Sequence, residues 1–120
     1  MSQIILVGLG GALGAILRYL LSLVSIKSHF PFITLITNII GAIVIGFVVG
    51  MFSKERISSQ LQLFLKTGVC GGFTTFSTFS LESLTLLESG HYLIATSYII
   101  LSLICCLVGV FLGKYLSMKL

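Results

Sequence analysis

Residues 68–80 read Gly-Val-Cys-Gly-Gly-Phe-Thr-Thr-Phe-Ser-Thr-Phe-Ser, and two kinds of ion chemistry are latent in that order. A glycine pair followed by hydroxyl residues is a poor filling for a helix in lipid, which satisfies its own backbone. Where such a helix breaks, at 71–74, the freed carbonyls carry partial negative charge suited to a hard cation. Just beyond stand Phe76 and Phe79, three residues apart, among Thr74, Thr75, Ser77, Thr78 and Ser80. An aromatic ring has a positive edge, and ring edges beside hydroxyl donors can receive a small anion. As an ordinary stripe, the same two rings are packing. Non-helical backbone at membrane depth is tolerated only when protein buries it or a watery cavity receives it. This stretch is therefore the expected working part of the chain.

Other polar groups fall inside apolar surroundings. Asn38 lies within Thr34-Leu-Ile-Thr37-Asn38-Ile-Ile-Gly41, where an amide is either helix–helix glue or a ligand donor. Thr34 shares its face, four residues away. Tyr98, Ser102 and Cys106 follow at i, i+4 and i+8, either bonded back to their own helix or forming a track of rotatable donors. Arg18 either snorkels to an interface or faces the interior as an anchor or anion attractor. Glu82 lies in the same membrane half and is its expected partner. Cys70, Cys105 and Cys106 have no metal-ligand spacing and read as small buried hydrophobes. His29 and His91 fall in loops and receive no role.

Four apolar blocks must position these groups: roughly 3–26, 30–53, 58–88 and 91–117. Each exceeds the ~20 residues a helix needs to cross a bilayer. The composition agrees, with 57% hydrophobic and only 8% charged residues, against about 25% charged in soluble domains. The expected architecture is all-α and integral to a membrane: one domain, 1–120, of four transmembrane helices with the third broken near its middle. No basic n-region precedes Ile4, so the first block is taken as a retained helix rather than a signal peptide. Lys54, Arg56, Lys114 and Lys119 fall on one side and Lys27 on the other, which favours cytoplasmic termini. The basic residues form no stripe, so nucleic acid is not an expected partner. GxxxG pairs occur at Gly10/Gly14, Gly46/Gly50, Gly68/Gly72 and Gly109/Gly113, and such spacing lets helix backbones approach closely. Four helices of this size enclose little interior, so an oligomer is expected.

Three segments together resemble a known family. Gly10-Gly11-x-x-Gly14-Ala15-x-x-Arg18-Tyr19, Thr34-Leu35-x-x-Asn38-x-x-Gly41 and Gly71-Gly72-Phe73-Thr74-Thr75-Phe76-Ser77-Thr78-Phe79-Ser80-x-Glu82 are similar to the Fluc/CrcB fluoride channels. The resemblance spans three helices in order at the right chain length. It implies a multi-pass protein of the cell membrane that exports fluoride passively and relieves its toxicity. It further implies two oppositely oriented subunits, two pores and a structural sodium ion that is not transported. By motif position, Gly71 and Thr74 give backbone carbonyls to sodium, and Phe76 and Phe79 turn their edges to fluoride. Asn38 is the pore amide; Ser77 and Thr78 add hydroxyls; Tyr98 and Ser102 line the polar track. Cys106 stands where a hydroxyl is expected, Ile33 where the family often has Gly, and Thr37 where it often has Val. The charge bias leaves open a homodimer or a heterodimer with a related chain of opposite orientation.

Other classes account for less of the sequence. A small four-helix multidrug exporter needs an acid in its first helix, where this chain has Arg18. A non-transporting membrane assembly protein leaves the Thr/Ser/Phe cluster without a purpose. An enzyme needs an activated nucleophile, and Cys70 has no evident base, so the chain is not expected to be one.

Overall fold

The computed structural model describes residues 2–120, and among them every regular element is helical. The elements are α1 (Ser2–Ser22), α2 (Phe32–Ser53), α3 (Ser59–Gln62), a π-helical stretch (Leu63–Cys70), α4 (Gly71–Phe73), α5 (Phe76–Glu88) and α6 (Tyr92–Lys119). Helices α1, α2 and α6 are each long and apolar enough to cross a membrane. At ~1.5 Å per residue, α6 is about 42 Å long. The molecule measures 48 × 31 × 20 Å, and its long axis matches a bilayer with its headgroup regions, about 40–45 Å. Leu93, Leu107, Phe111, Ile4 and Leu9 are all exposed. An apolar surface this continuous is at home in lipid rather than water. The chain is a membrane protein.

Local signals explain the helix boundaries. Ser58 caps α3 by accepting from the Leu61 amide, and Thr75 caps α5 by accepting from the Thr78 amide, each satisfying a donor at a helix start. Helix α5 closes through Gly90 at φ 81°, with the Gly90 amide on the Leu87 carbonyl and the His91 amide on the Leu86 carbonyl. That is a Schellman turn. Helix α2 closes the same way, with Glu55 in the left-handed position.

The glycine pairs resolve into two seams within one chain. Helix α1 lies against the π-helical stretch and α4, and α2 lies against α6. A Cβ added to Gly68 would sit 2.8 Å from the Gly10 Cα, and one added to Gly14 would sit 2.8 Å from the Phe73 amide nitrogen. In the second seam, a Cβ on Gly113 would sit 2.7 Å from the Phe47 amide nitrogen. No side chain fits between these backbones. Above the second seam, Leu35, Phe79, Leu86, Ala95 and Tyr98 form the buried apolar cluster.

The block 58–88 is not one continuous helix. Between α4 and α5, Thr74 (φ −82°, ψ 157°) and Thr75 (φ −149°, ψ 120°) are extended. Neither hydropathy nor glycine spacing signalled the π-helical turns before them.

Candidate functional site

The extended pair at 74–75 leaves backbone groups without helical partners, and α2 supplies a replacement. Asn38 stands level with Thr75 and bonds it twice. The Thr75 amide donates to Asn38 Oδ1 at 2.9 Å, and Asn38 Nδ2 donates to the Thr75 carbonyl at 3.1 Å. The side-chain amide thus does for Thr75 what a neighbouring strand does in a sheet. Gly41, one turn along α2, makes room: a Cβ there would collide with the Thr74 methyl group.

This arrangement frees particular carbonyls. In an unbroken helix the Thr75 amide would serve the Gly71 carbonyl, and the Thr78 amide would serve that of Thr74. The first is given to Asn38 and the second to the Thr75 hydroxyl, at 3.1 Å. Gly71 and Thr74 are the two residues that the motif resemblance assigned to a cation. The Gly72 carbonyl between them is occupied instead by Arg18, whose Nε donates to it at 3.2 Å.

Arg18 therefore turns inward, but not onto Glu82. The expected ion pair is not formed. The half-buried Glu82 carboxylate accepts from Thr34 Oγ1 at 2.9 Å and from Tyr98 Oη at 2.8 Å. Two neutral hydroxyl donors satisfy the acid, while the break offers the guanidinium a carbonyl closer at hand. Formal charge points Glu82 only toward Arg18, whereas the Thr34 hydroxyl on the facing helix carries no such sign in the sequence.

A cavity of about 410 Å³ opens beside the break. Asn38, Thr74, Phe76, Phe79, Ser102 and Cys106 are on its wall, so α2, α5 and α6 all contribute. Phe79 is buried at 8% exposure, whereas Phe76 is 75% exposed, and their ring centroids are 5.5 Å apart. The cavity is thus closed on one flank by Phe79 and open on the other at Phe76. Most nearby hydroxyls are already engaged with their own helices: Thr37 with the Ile33 carbonyl at 2.7 Å, Ser80 with Phe76 at 2.9 Å and Ser83 with Phe79 at 2.8 Å. Ser102 differs. Its hydroxyl is buried, lines the cavity and has no hydrogen-bond partner among the described residues. A buried hydroxyl normally finds a partner, so this one is available to something the cavity holds.

The remaining candidates lie elsewhere. Tyr98 is fully buried and sits behind the cavity wall rather than on it, turned toward Glu82. Thr78 lines a smaller cavity of about 60 Å³ with Arg18, Thr34 and Thr37. Ser77 is exposed near Thr75 Oγ1, at 3.4 Å. Thr75, grouped in the sequence with the other hydroxyls and given no role of its own, joins the break to α5. Its spacing from Thr78 is the pattern of a hydroxyl N-cap and was the available signal. Cys70 is buried, Cys105 and Cys106 are half-buried, and all three thiols are free.

The site gathers amide and hydroxyl groups beside two phenyl rings on one cavity wall, next to the Gly71 and Thr74 carbonyls whose helical amides are diverted. Comparison with known proteins finds relatives over nearly the whole chain. A family model described as "CrcB-like protein, Camphor Resistance (CrcB)" matches residues 5–114. A protein of Methanococcus maripaludis named fluoride-specific ion channel FluC is 46% identical over 119 residues, covering 98% of each chain. One of the same name from Clostridium perfringens is 48% identical over 118 residues, covering 94% of this chain and 91% of its own. A third, from Phocaeicola vulgatus, is 44% identical over 120 residues, covering 98% of this chain and 99% of its own.

Proposed function

Since the chain belongs to the CrcB-like family, we propose that it is a fluoride-specific ion channel of the cell membrane that exports fluoride passively. The observation that carries this reading is the donor set on one cavity wall: the Asn38 amide, the unpartnered Ser102 hydroxyl and the Phe76–Phe79 pair. Fluoride is small and strongly hydrated, so a pore must replace its water with close donors. Asn38 Nδ2 carries two hydrogens and spends one on Thr75, which leaves the other for the ion. Ser102 adds a rotatable O–H, and the phenyl edges complete a shell too tight for larger halides. Selectivity then rests on pore size and donor arrangement. A negative-inside potential drives the anion outward by ~2.3 kcal/mol per 100 mV, so no coupling ion is needed.

In this reading residues 1–120 act as one domain with four crossings, the third made by 59–88 with its break at 74–75. Two subunits of opposite orientation close the open flank at Phe76, where Gly71 also has free space beyond its Cα. Gly71 and Thr74 of each subunit would hold a structural sodium ion through their freed carbonyls; when bound, it neutralises those dipoles where the two breaks meet. The partner is a second copy or a related chain of opposite charge bias. Robust conduction by this chain reconstituted alone selects the homodimer.

The deciding experiment is halide efflux from liposomes under an ionophore shunt. Fluoride is expected to leave rapidly and chloride to stay. Phe79→Ile is expected to abolish fluoride efflux with the protein still assembled, and undiminished flux in that variant would dismiss this pore.

A further inference from the structure

Away from the break, one end of the bundle brings together the two histidines of the chain. His29 comes from the loop between α1 and α2, and His91 from the turn between α5 and α6. Their ring centroids are 4.3 Å apart and their planes differ by 30°. Both positions are held from beneath. The His91 amide is tied to the Leu86 carbonyl at 2.9 Å by the Schellman turn of α5. Phe30, next to His29, packs edge-on against buried Tyr98, with centroids 5.5 Å apart at 77°, and its amide donates to Ser28 Oγ at 3.1 Å. The proximity of the rings follows from anchored backbone on both sides.

We propose that His29 and His91 form a two-imidazole site for a borderline transition-metal dication of the Zn²⁺, Ni²⁺ or Cu²⁺ class. Neutral imidazole is a preferred ligand for these ions, and each ring offers one in-plane lone pair. To share an ion, the rings must splay from their near-parallel stack. The terminal torsion of His is broad, and His29 is exposed, so it is free to turn. Among the described residues no third His, Cys, Asp or Glu completes the group, and water fills the other positions. The site is thus open and its ion exchangeable, unlike a closed structural centre. Mg²⁺ and Ca²⁺, which favour oxygen ligands, are excluded by the nitrogen donors. A bound ion cross-links the α1–α2 loop to the α5–α6 turn and presses Phe30 onto Tyr98.

The test uses tag-free full-length protein in detergent micelles. Excess Zn²⁺ or Ni²⁺ is expected to raise the unfolding midpoint by about 2–5 °C, with one ion bound per chain by calorimetry and no rise with Mg²⁺. His29→Gln and His91→Gln are each expected to remove both effects. No rise in the unmutated protein, an equal rise with Mg²⁺, or a rise surviving in either variant overturns the site. The unmutated protein gives a second reading: bound Cu²⁺ should show electron-spin coupling to two imidazole nitrogens, and coupling to fewer overturns it.

Discussion

The glycine seams and the break at 74–75 meet the same demand, polar backbone in an apolar medium, in opposite ways. In the seam of α2 and α6 both backbones stay helical throughout, and glycine brings the two rods to backbone contact. At the break, helical amides are given up, and two side chains, Asn38 and Thr75, take them over. The seam of α2 and α6 gives up no helical turn, so it frees no carbonyl or amide for an ion. The break offers carbonyls on one side and donors on the other. Rigidity and chemistry are divided between them.

Four substitutions probe that division, in falling order of effect. Asn38→Ala removes both bonds to Thr75 and the donor on the cavity wall. It is expected to lower fluoride efflux by at least about 100-fold, since buried backbone left unpaired costs about 1–3 kcal/mol per group and the pore donor is lost as well. Near-normal efflux would mean that the break is held by something other than α2. Gly113→Val forces a side chain between α6 and the α2 backbone. The expected loss is about 1–3 kcal/mol of stability, read in chemical or thermal unfolding, with ion selectivity retained by whatever protein folds. A change in selectivity there would erase the distinction between seam and site. Thr75→Val deletes the α5 cap, costing about 1 kcal/mol, and changes flux more than Gly113→Val does for the same lost stability. Thr37→Val is the smallest. Its hydroxyl bonds only the Ile33 carbonyl of its own helix, so stability should move by less than about 0.5 kcal/mol and flux should not move.

Much of this contrast was legible in the sequence, for reasons that differ residue by residue. The apolar blocks of α1, α2 and α6 need only composition. The glycine pairs were visible as spacing, yet which pair meets which is a property of packing, and spacing does not encode a partner. The special character of 68–80 was visible because glycine pairs and hydroxyls suit a lipid-spanning helix poorly. Its carbonyl assignment to Gly71 and Thr74 rests on motif resemblance; at those positions the structure shows two amides diverted from the helical pattern. Arg18 and Glu82 were expected to pair because they share a depth and carry opposite charge. They do not, because a freed carbonyl at Gly72 and two hydroxyls at Thr34 and Tyr98 compete successfully. Each group is satisfied by neutral partners within hydrogen-bond reach, which formal charge alone conceals. The π-helical turns at Leu63–Cys70 left no mark in composition or period.

The double bond between Asn38 and Thr75 also has a consequence in time. These residues are separated by 37 positions, and the amide comes first in the chain. When 59–88 leaves the ribosome, α2 is already made, so the group that rewards opening the helix at 74–75 is waiting in the membrane. The Glu82 node has only half of that advantage, because Thr34 of α2 is already in place but Tyr98 belongs to α6 and arrives later. Synthesis order thus lets the break be set by docking on α2 before α6 seals the second seam.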